Sequence, residues 1–187
     1  MRRLALLVVC AGLVLGGCAG SKTQSGGSSS GSDMPDFVLN PPKQVGFVFG
    51  TGIAEQASPQ LAKETADLRA RKEIATVLSS KVSSMLKDFL GQAGVGTTAE
   101  VTELSNSVTR SISEVELVGV TIEKRDYKGG KMYSLGKYPI DDSFKKMVNT
   151  SVNNALTSKE ALLSQFRAKQ GFDDLDKQLD KMKASEQ

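Results

Sequence analysis

An α+β fold, with a small antiparallel three-stranded sheet packed against long helices, is what the sequence predicts. Three observations carry it. Residues 45–54 (VGFVFGTGIA) are rich in β-branched and aromatic side chains. Residues 58–92 repeat apolar side chains at spacings of three and four. Residues 114–127 and 131–140 are two strand-like runs around Lys128, Gly129 and Gly130, the pattern of a hairpin. The order is strand, long helix, weaker helix, hairpin, helix, and such elements bury their apolar faces as helices layered on a sheet.

Residues 34–43 (MPDFVLNPPK) hold three prolines around Phe37, Val38 and Leu39, which predicts an extended arm that packs those side chains on the domain. The strand at 45–54 ends in glycines, and its incomplete alternation predicts a central position. Ser58 before Pro59 predicts a helix start, with the hydroxyl capping free N–H groups and the proline at a position whose N–H has no partner. Ala66, Ala70, Ile74, Leu78, Val82, Met85, Leu86 and Phe89 form its stripe, and Gly91, Gly94 and Gly96 stop it. Val101, Leu104, Val108 and Ile112 keep helical spacing in a second helix from Thr98. The stretch from Val108 also suits a strand, and the change is placed near Glu114.

The apolar pattern chooses the hairpin register. A two-residue loop would set Ile122 opposite Lys137 and Val120 opposite Pro139. A three-residue loop sets Val118 opposite Ile140, Val120 opposite Tyr138 and Ile122 opposite Gly136, which gives one consistent buried face and is the expected register. Thr121, Glu123, Arg125, Tyr133, Leu135 and Lys137 then share the opposite face. Tyr133 and Leu135 are large for a solvated face, which makes them a candidate interaction surface. Asp141 and Asp142 cap a third helix with the stripe Phe144, Val148, Val152, Ala155, Leu156, Leu162 and Phe166, weakened midway by Thr157 and Ser158 and ended by Gly171. Residues 171–187 form a short charged helix carrying Phe172, Leu175, Leu179 and Met182, which docks on the body or frays.

Ahead of this domain (34–170) lie two segments of another character. Residues 1–17 open with Arg2 and Arg3 and an apolar run of about 12 residues, the n- and h-regions of a secretion signal. A run of that length falls short of the roughly 20 residues that span a bilayer. Leu15, Gly16, Gly17 and Cys18 resemble the bacterial lipobox, whose cysteine thiol takes a diacylglyceryl group before cleavage on its N-terminal side. Ala19, in place of Asp, implies export to the outer membrane, and two or three acyl chains anchor firmly where one does not. Residues 19–33 are Gly/Ser-rich with no large apolar side chain and read as a flexible tether with a span of roughly 20 Å.

Loss of residues 1–17 removes Arg2 and Arg3 and no acid, which lowers the formal charge from +3 to +1. No clustered basic surface argues for a nucleic-acid partner. The chain has no His and no Trp, and its two cysteines are Cys10, lost with the signal, and Cys18, taken by lipid. A disulfide framework, a His or Cys metal site and an imidazole or thiol catalyst are therefore not expected, and neither is a cofactor.

Four constellations remain. Gly50, Thr51 and Gly52, with Arg71 nearby, suggest a small-ligand or glycan site at a strand exit. Glu55 stands where a dinucleotide fingerprint needs its third glycine, and a tight turn explains the pair as well. Asp141 and Asp142 are explained by capping and the helix dipole. Arg69, Arg71 and Lys72 form either an anionic-lipid or glycan patch or a solvated helix face. Residues 173–183 alternate charges along an apolar seam, as a partner helix would.

Residues 48–54 (VFGTGIA), the alanine helix with Ala62, Ala66, Ala70 and Arg71, and the hairpin start Leu117, Val118, Gly119, Val120 resemble the Helicobacter membrane-associated lipoprotein-twenty family. That domain is similar to the N-terminal domain of the flagellar T protein, and the resemblance covers roughly residues 35–141. It implies a surface or outer-membrane lipoprotein with no established enzymatic activity, whose relatives include a component of outer flagellar rings. No catalytic residue carries over. Gly50 and Gly52 look structural, for the turn, and the alanines look suited to close helix–sheet approach. The expectation is a non-catalytic lipoprotein facing the periplasm, held by its N-terminal lipid, that binds envelope proteins or itself. The alternative is a small-ligand or glycan binder.

Overall fold

The computed structural model describes residues 34–114 and 119–185. The expected signal peptide, lipidation at Cys18, tether and Val118–Ile140 pairing fall on residues outside those described. The elements are α1 (Asp36–Leu39), β1 (Phe47–Glu55), α2 (Pro59–Ala93), α3 (Thr98–Glu114), β2 (Thr121–Lys128), β3 (Lys131–Pro139), α4 (Asp142–Thr157), α5 (Glu160–Ala168) and α6 (Gly171–Ala184). The sheet is antiparallel in the order β1-β3-β2, with helices packed on it. This is the predicted α+β architecture. The centre, however, is β3: β1 adds to the free side of the hairpin and is itself an edge. The expected extended arm contains a single helical turn, α1.

α2 crosses one face of the sheet, touching both β1 and β3. Ser58 makes no side-chain cap bond. The α2 start rests instead on Pro59 in the first turn and on the Ala62 N–H donating to the Ser58 carbonyl. The expected third helix is two, broken at Ser158 and Lys159 between α4 and α5. Asp141 caps α4 as expected, its carboxylate accepting from the N–H groups of Ser143 and Phe144 at 3.0 and 3.1 Å. Asp141→Ala is expected to lower stability by about 1 kcal/mol, read as a lower urea midpoint at unchanged slope.

The core lies mainly where the second half of α2 meets α3, α4, α5 and α6. Leu78, Leu86, Leu104, Ile112, Phe144, Leu156 and Phe166 are fully buried there. Edge-to-face ring pairs join the layers, Tyr138 with Phe144 and Phe89 with Phe166, both at 6.1 Å, and Phe166 with Phe172 at 4.8 Å. α6 docks on the body: Leu175 and Leu179 are buried, Asn149 bonds Asp176 at 2.7 Å, and Lys145 pairs with Asp180.

The hairpin combines both registers weighed from the sequence. Next to the turn, Lys128 faces Lys131 across a two-residue loop, and Gly129 and Gly130 both take positive φ, 55° and 77°, as such a loop requires. Farther out Ile122 faces Gly136, the pairing expected from a three-residue loop. A bulge at Glu123 joins the two stretches. An extra residue in one strand reverses the faces beyond it. Arg125, expected on the opposite face, is thereby set opposite Ser134 on the α2 side of the sheet.

Candidate functional site

Small residues bring α2 onto the sheet. Ala62, Ala66 and Ala70 are fully buried; Ala66 and Ala70 meet Gly50 and Gly52 of β1, and Ala70 meets Gly136 of β3. The contact is backbone to backbone: a Cβ on Gly52 would lie 1.9 Å from the Ala66 carbonyl oxygen, and one on Gly50 would lie 2.7 Å from that of Ala70. Gly50 and Gly52 are therefore inside β1, not at a strand exit, and helix fills the space that a ligand cradle would need. Arg71 is exposed on α2, and its charge acts on Asp67. Gly50 and Gly52 are thus covered by helix backbone, with Arg71 on the exposed side of α2. The alanines do provide the close approach that the resemblance implied.

Beside this seam lies a polar set that the sequence reading missed. Asp67 of α2 is buried, and Arg125 grips its carboxylate through Nε at 2.9 Å and Nη2 at 2.8 Å while Ser134 donates its hydroxyl at 2.7 Å. Burial pushes the Asp67 pKa up. The hydrogen bonds from Arg125 and Ser134 and the Arg125 charge outweigh it, and the group sits below its ordinary value. The ion pair in turn raises Arg125. Asp67 is thus a committed anion with its oxygens engaged, and Ser134 is fully buried. A general base needs a free lone pair within reach of substrate, and a nucleophile needs access. This set offers neither, and it braces α2 against both hairpin strands.

Two side chains of α2 reach round to the outer edge of β1. Glu73 accepts from the Thr51 N–H and hydroxyl, and Arg69 donates to the Ile53 carbonyl. On the sheet face away from α2, Lys137 lies 4.1 Å from the Phe47 ring centre and pairs with Glu123 at 3.2 Å. Tyr133 and Leu135 occupy that same face. They are 3% and 0% exposed, which removes them as an interaction surface. β3 is paired on both edges and covered by α2 on one side, and α1 lies near it.

Asp141 is a cap, and its neighbour Asp142 lies 3.9 Å from Lys145. A cleft of about 230 Å³ between α3 and α4 is lined by hydroxyls and an amide, Ser107, Ser111, Ser151, Asn154 and Ser158, with the Lys159–Glu103 ion pair at 2.6 Å beside them. Among the described residues, no group of three or more His, Cys, Asp or Glu is placed to hold a metal, and no helix is long and apolar enough to cross a membrane. Compared with known proteins, the chain matches no family model, no curated protein and no solved structure.

Proposed function

We propose that this chain is a non-catalytic lipoprotein of the bacterial outer membrane, facing the periplasm, that works by binding envelope proteins or further copies of itself. The observation that carries this reading is the passage from an apolar run through Leu15, Gly16, Gly17 and Cys18 into a Gly/Ser tether. The domain supports it: its buried carboxylate, Asp67, braces the fold, and α2 presents Leu61 and Leu68, both exposed and seven residues apart, on its outer side. The resemblance to the lipoprotein-twenty family and to the flagellar T protein N-terminal domain makes envelope-spanning assemblies the first place to look for the partner.

Metabolic labelling with an alkyne fatty acid tests the anchor. The wild-type chain takes the label and fractionates with membranes, and Cys18→Ser abolishes the label and releases the chain. Photocrosslinking from position 68 tests the partner surface, with a discrete adduct expected to an envelope protein or a second copy. A labelled chain with no adduct from any exposed α2 position would remove the assembly role. Glycan binding is the second reading, favoured by the hydroxyl-lined α3–α4 cleft. It predicts a raised melting temperature with envelope glycans and loss of that shift in Asn154→Ala.

A further inference from the structure

The end of the domain where the chain enters carries exposed apolar side chains near Lys43 and the lysines at the end of α6. Leu39 and Val45 are 54% and 52% exposed, one on each side of Pro41 and Pro42, with Lys43 exposed between them. The next residue, Gly46, donates its N–H to the Lys183 carbonyl, and the Lys183 side chain runs along it. The last turn of α6 is thereby pinned beside Val45, bringing Lys181 and Lys183 to this end. An apolar hollow of about 300 Å³, lined by Pro41, Pro42, Phe47, Phe49 and Val77, opens here. The Lys81 side chain borders both it and a second hollow beside Lys181. Asp180, the α6 acid nearest these lysines in sequence, is held by Lys145.

We propose that this face rests on an anionic phospholipid surface, with Leu39 and Val45 entering the headgroup region and Lys43, Lys181 and Lys183 meeting lipid phosphates. The inference rests on the anchor reading. Exposed aliphatic side chains set among cations are the pattern of interfacial binding. The chain outside the described residues argues for the same orientation. Met34 follows Cys18 by only 16 positions in the sequence, and the chain enters the domain five residues before Leu39. An anchored domain meets the bilayer at high effective concentration, so individually small contacts suffice to orient it. Leu61 and Leu68, exposed elsewhere on α2 with Lys63 and Glu64 between them, lie away from the chain entry and are left for a protein partner.

The chain has no Trp, so a single introduced indole reports its own surroundings. The test uses the full acylated protein in vesicles of phosphatidylethanolamine and phosphatidylglycerol, with brominated acyl chains as quencher. Val45→Trp and, independently, Leu39→Trp are expected to emit at shorter wavelength and to lose roughly half their intensity to the bromolipid, with Leu68→Trp unaffected. Adding Lys43→Glu and Lys183→Glu is expected to abolish quenching at 45 while the chain still floats with the vesicles through its lipid. Equal quenching at 45 and 68, none at 45, or quenching that survives both charge reversals would overturn the proposal. The Val45→Trp reporter in a Cys18→Ser chain, mixed with the same vesicles in excess, tests the face without the anchor. There a salt-sensitive blue shift supports docking and its absence counts against it, whereas failure of the Cys18 chain to float counts against the anchor alone.

Discussion

Gly52→Ala is expected to destabilise the domain by about 3 kcal/mol, at the upper end of overpacking costs, whereas Gly91→Ala is expected to stabilise it by about 0.5–1 kcal/mol. The chemical change is identical, and only the surroundings differ. At Gly52 the new methyl would sit 1.9 Å from the Ala66 carbonyl oxygen and 2.6 Å from the Ala70 nitrogen, which are backbone atoms of a 35-residue helix that no rotamer change can move aside. Relief requires α2 to lift from the sheet, which would open the Asp67 contacts as well. Gly91 has nothing within 4 Å of its would-be Cβ, and there alanine simply favours the helix over the unfolded chain. Urea unfolding of the non-acylated chain, compared at equal slope, measures both. A Gly52→Ala protein as stable as the parent would disprove the close backbone contact.

Asp67→Ala is expected to cost about 2–3 kcal/mol at neutral pH, since it strands Arg125 and Ser134 together. The lower end is favoured because the Arg125 side chain is 39% exposed and water recovers part of the loss, while that of Asp67 is only 11% exposed. The pH dependence separates this effect from lost packing. Asp67 titrates lower in the folded chain than in the unfolded one, so its contribution is fully present above the ordinary carboxylate value of about 4 and fades as pH falls through the folded value. The wild-type stability advantage over Asp67→Ala should therefore shrink on acidification below about pH 4, with no change between pH 6 and 8. An advantage that is flat down to pH 2 would show that the carboxylate charge contributes nothing.

Helices and strands were legible in the sequence because their periodicity is local. The Thr98 start of α3 and its end at Glu114 agree with the expected bounds, and Thr157 and Ser158 marked the break between α4 and α5. What was not legible depends on how one element registers against another. Gly50 and Gly52 resemble turn residues when β1 is considered alone. Only against Ala66 and Ala70 does their spacing become a seam, two residues apart on a strand and four on a helix. The Asp67 set joins residues 58 and 67 positions apart, and it exists because the Glu123 bulge reverses Arg125. A register argument that assumes one continuous pairing cannot generate that reversal. One signal was present: an acid at 67, beside the alanine stripe, on a helix flank that packing would otherwise fill with apolar groups. Tyr133 and Leu135 were misjudged for the same reason, since their burial depends on what packs against the sheet and not on the hairpin's own pattern.

On the anchored reading proposed above, the way α2 closes the rim of β1 bears on how copies meet on a membrane. Chains held by short leashes to one bilayer are crowded into a thin layer, where an open strand rim would template its neighbour and that neighbour the next. Glu73 and Arg69 already occupy the Thr51 N–H and the Ile53 carbonyl, so this stretch of β1 cannot be extended by a second chain. On that reading, contact between copies along this stretch of β1 falls to side-chain surfaces, which can close into assemblies of finite size.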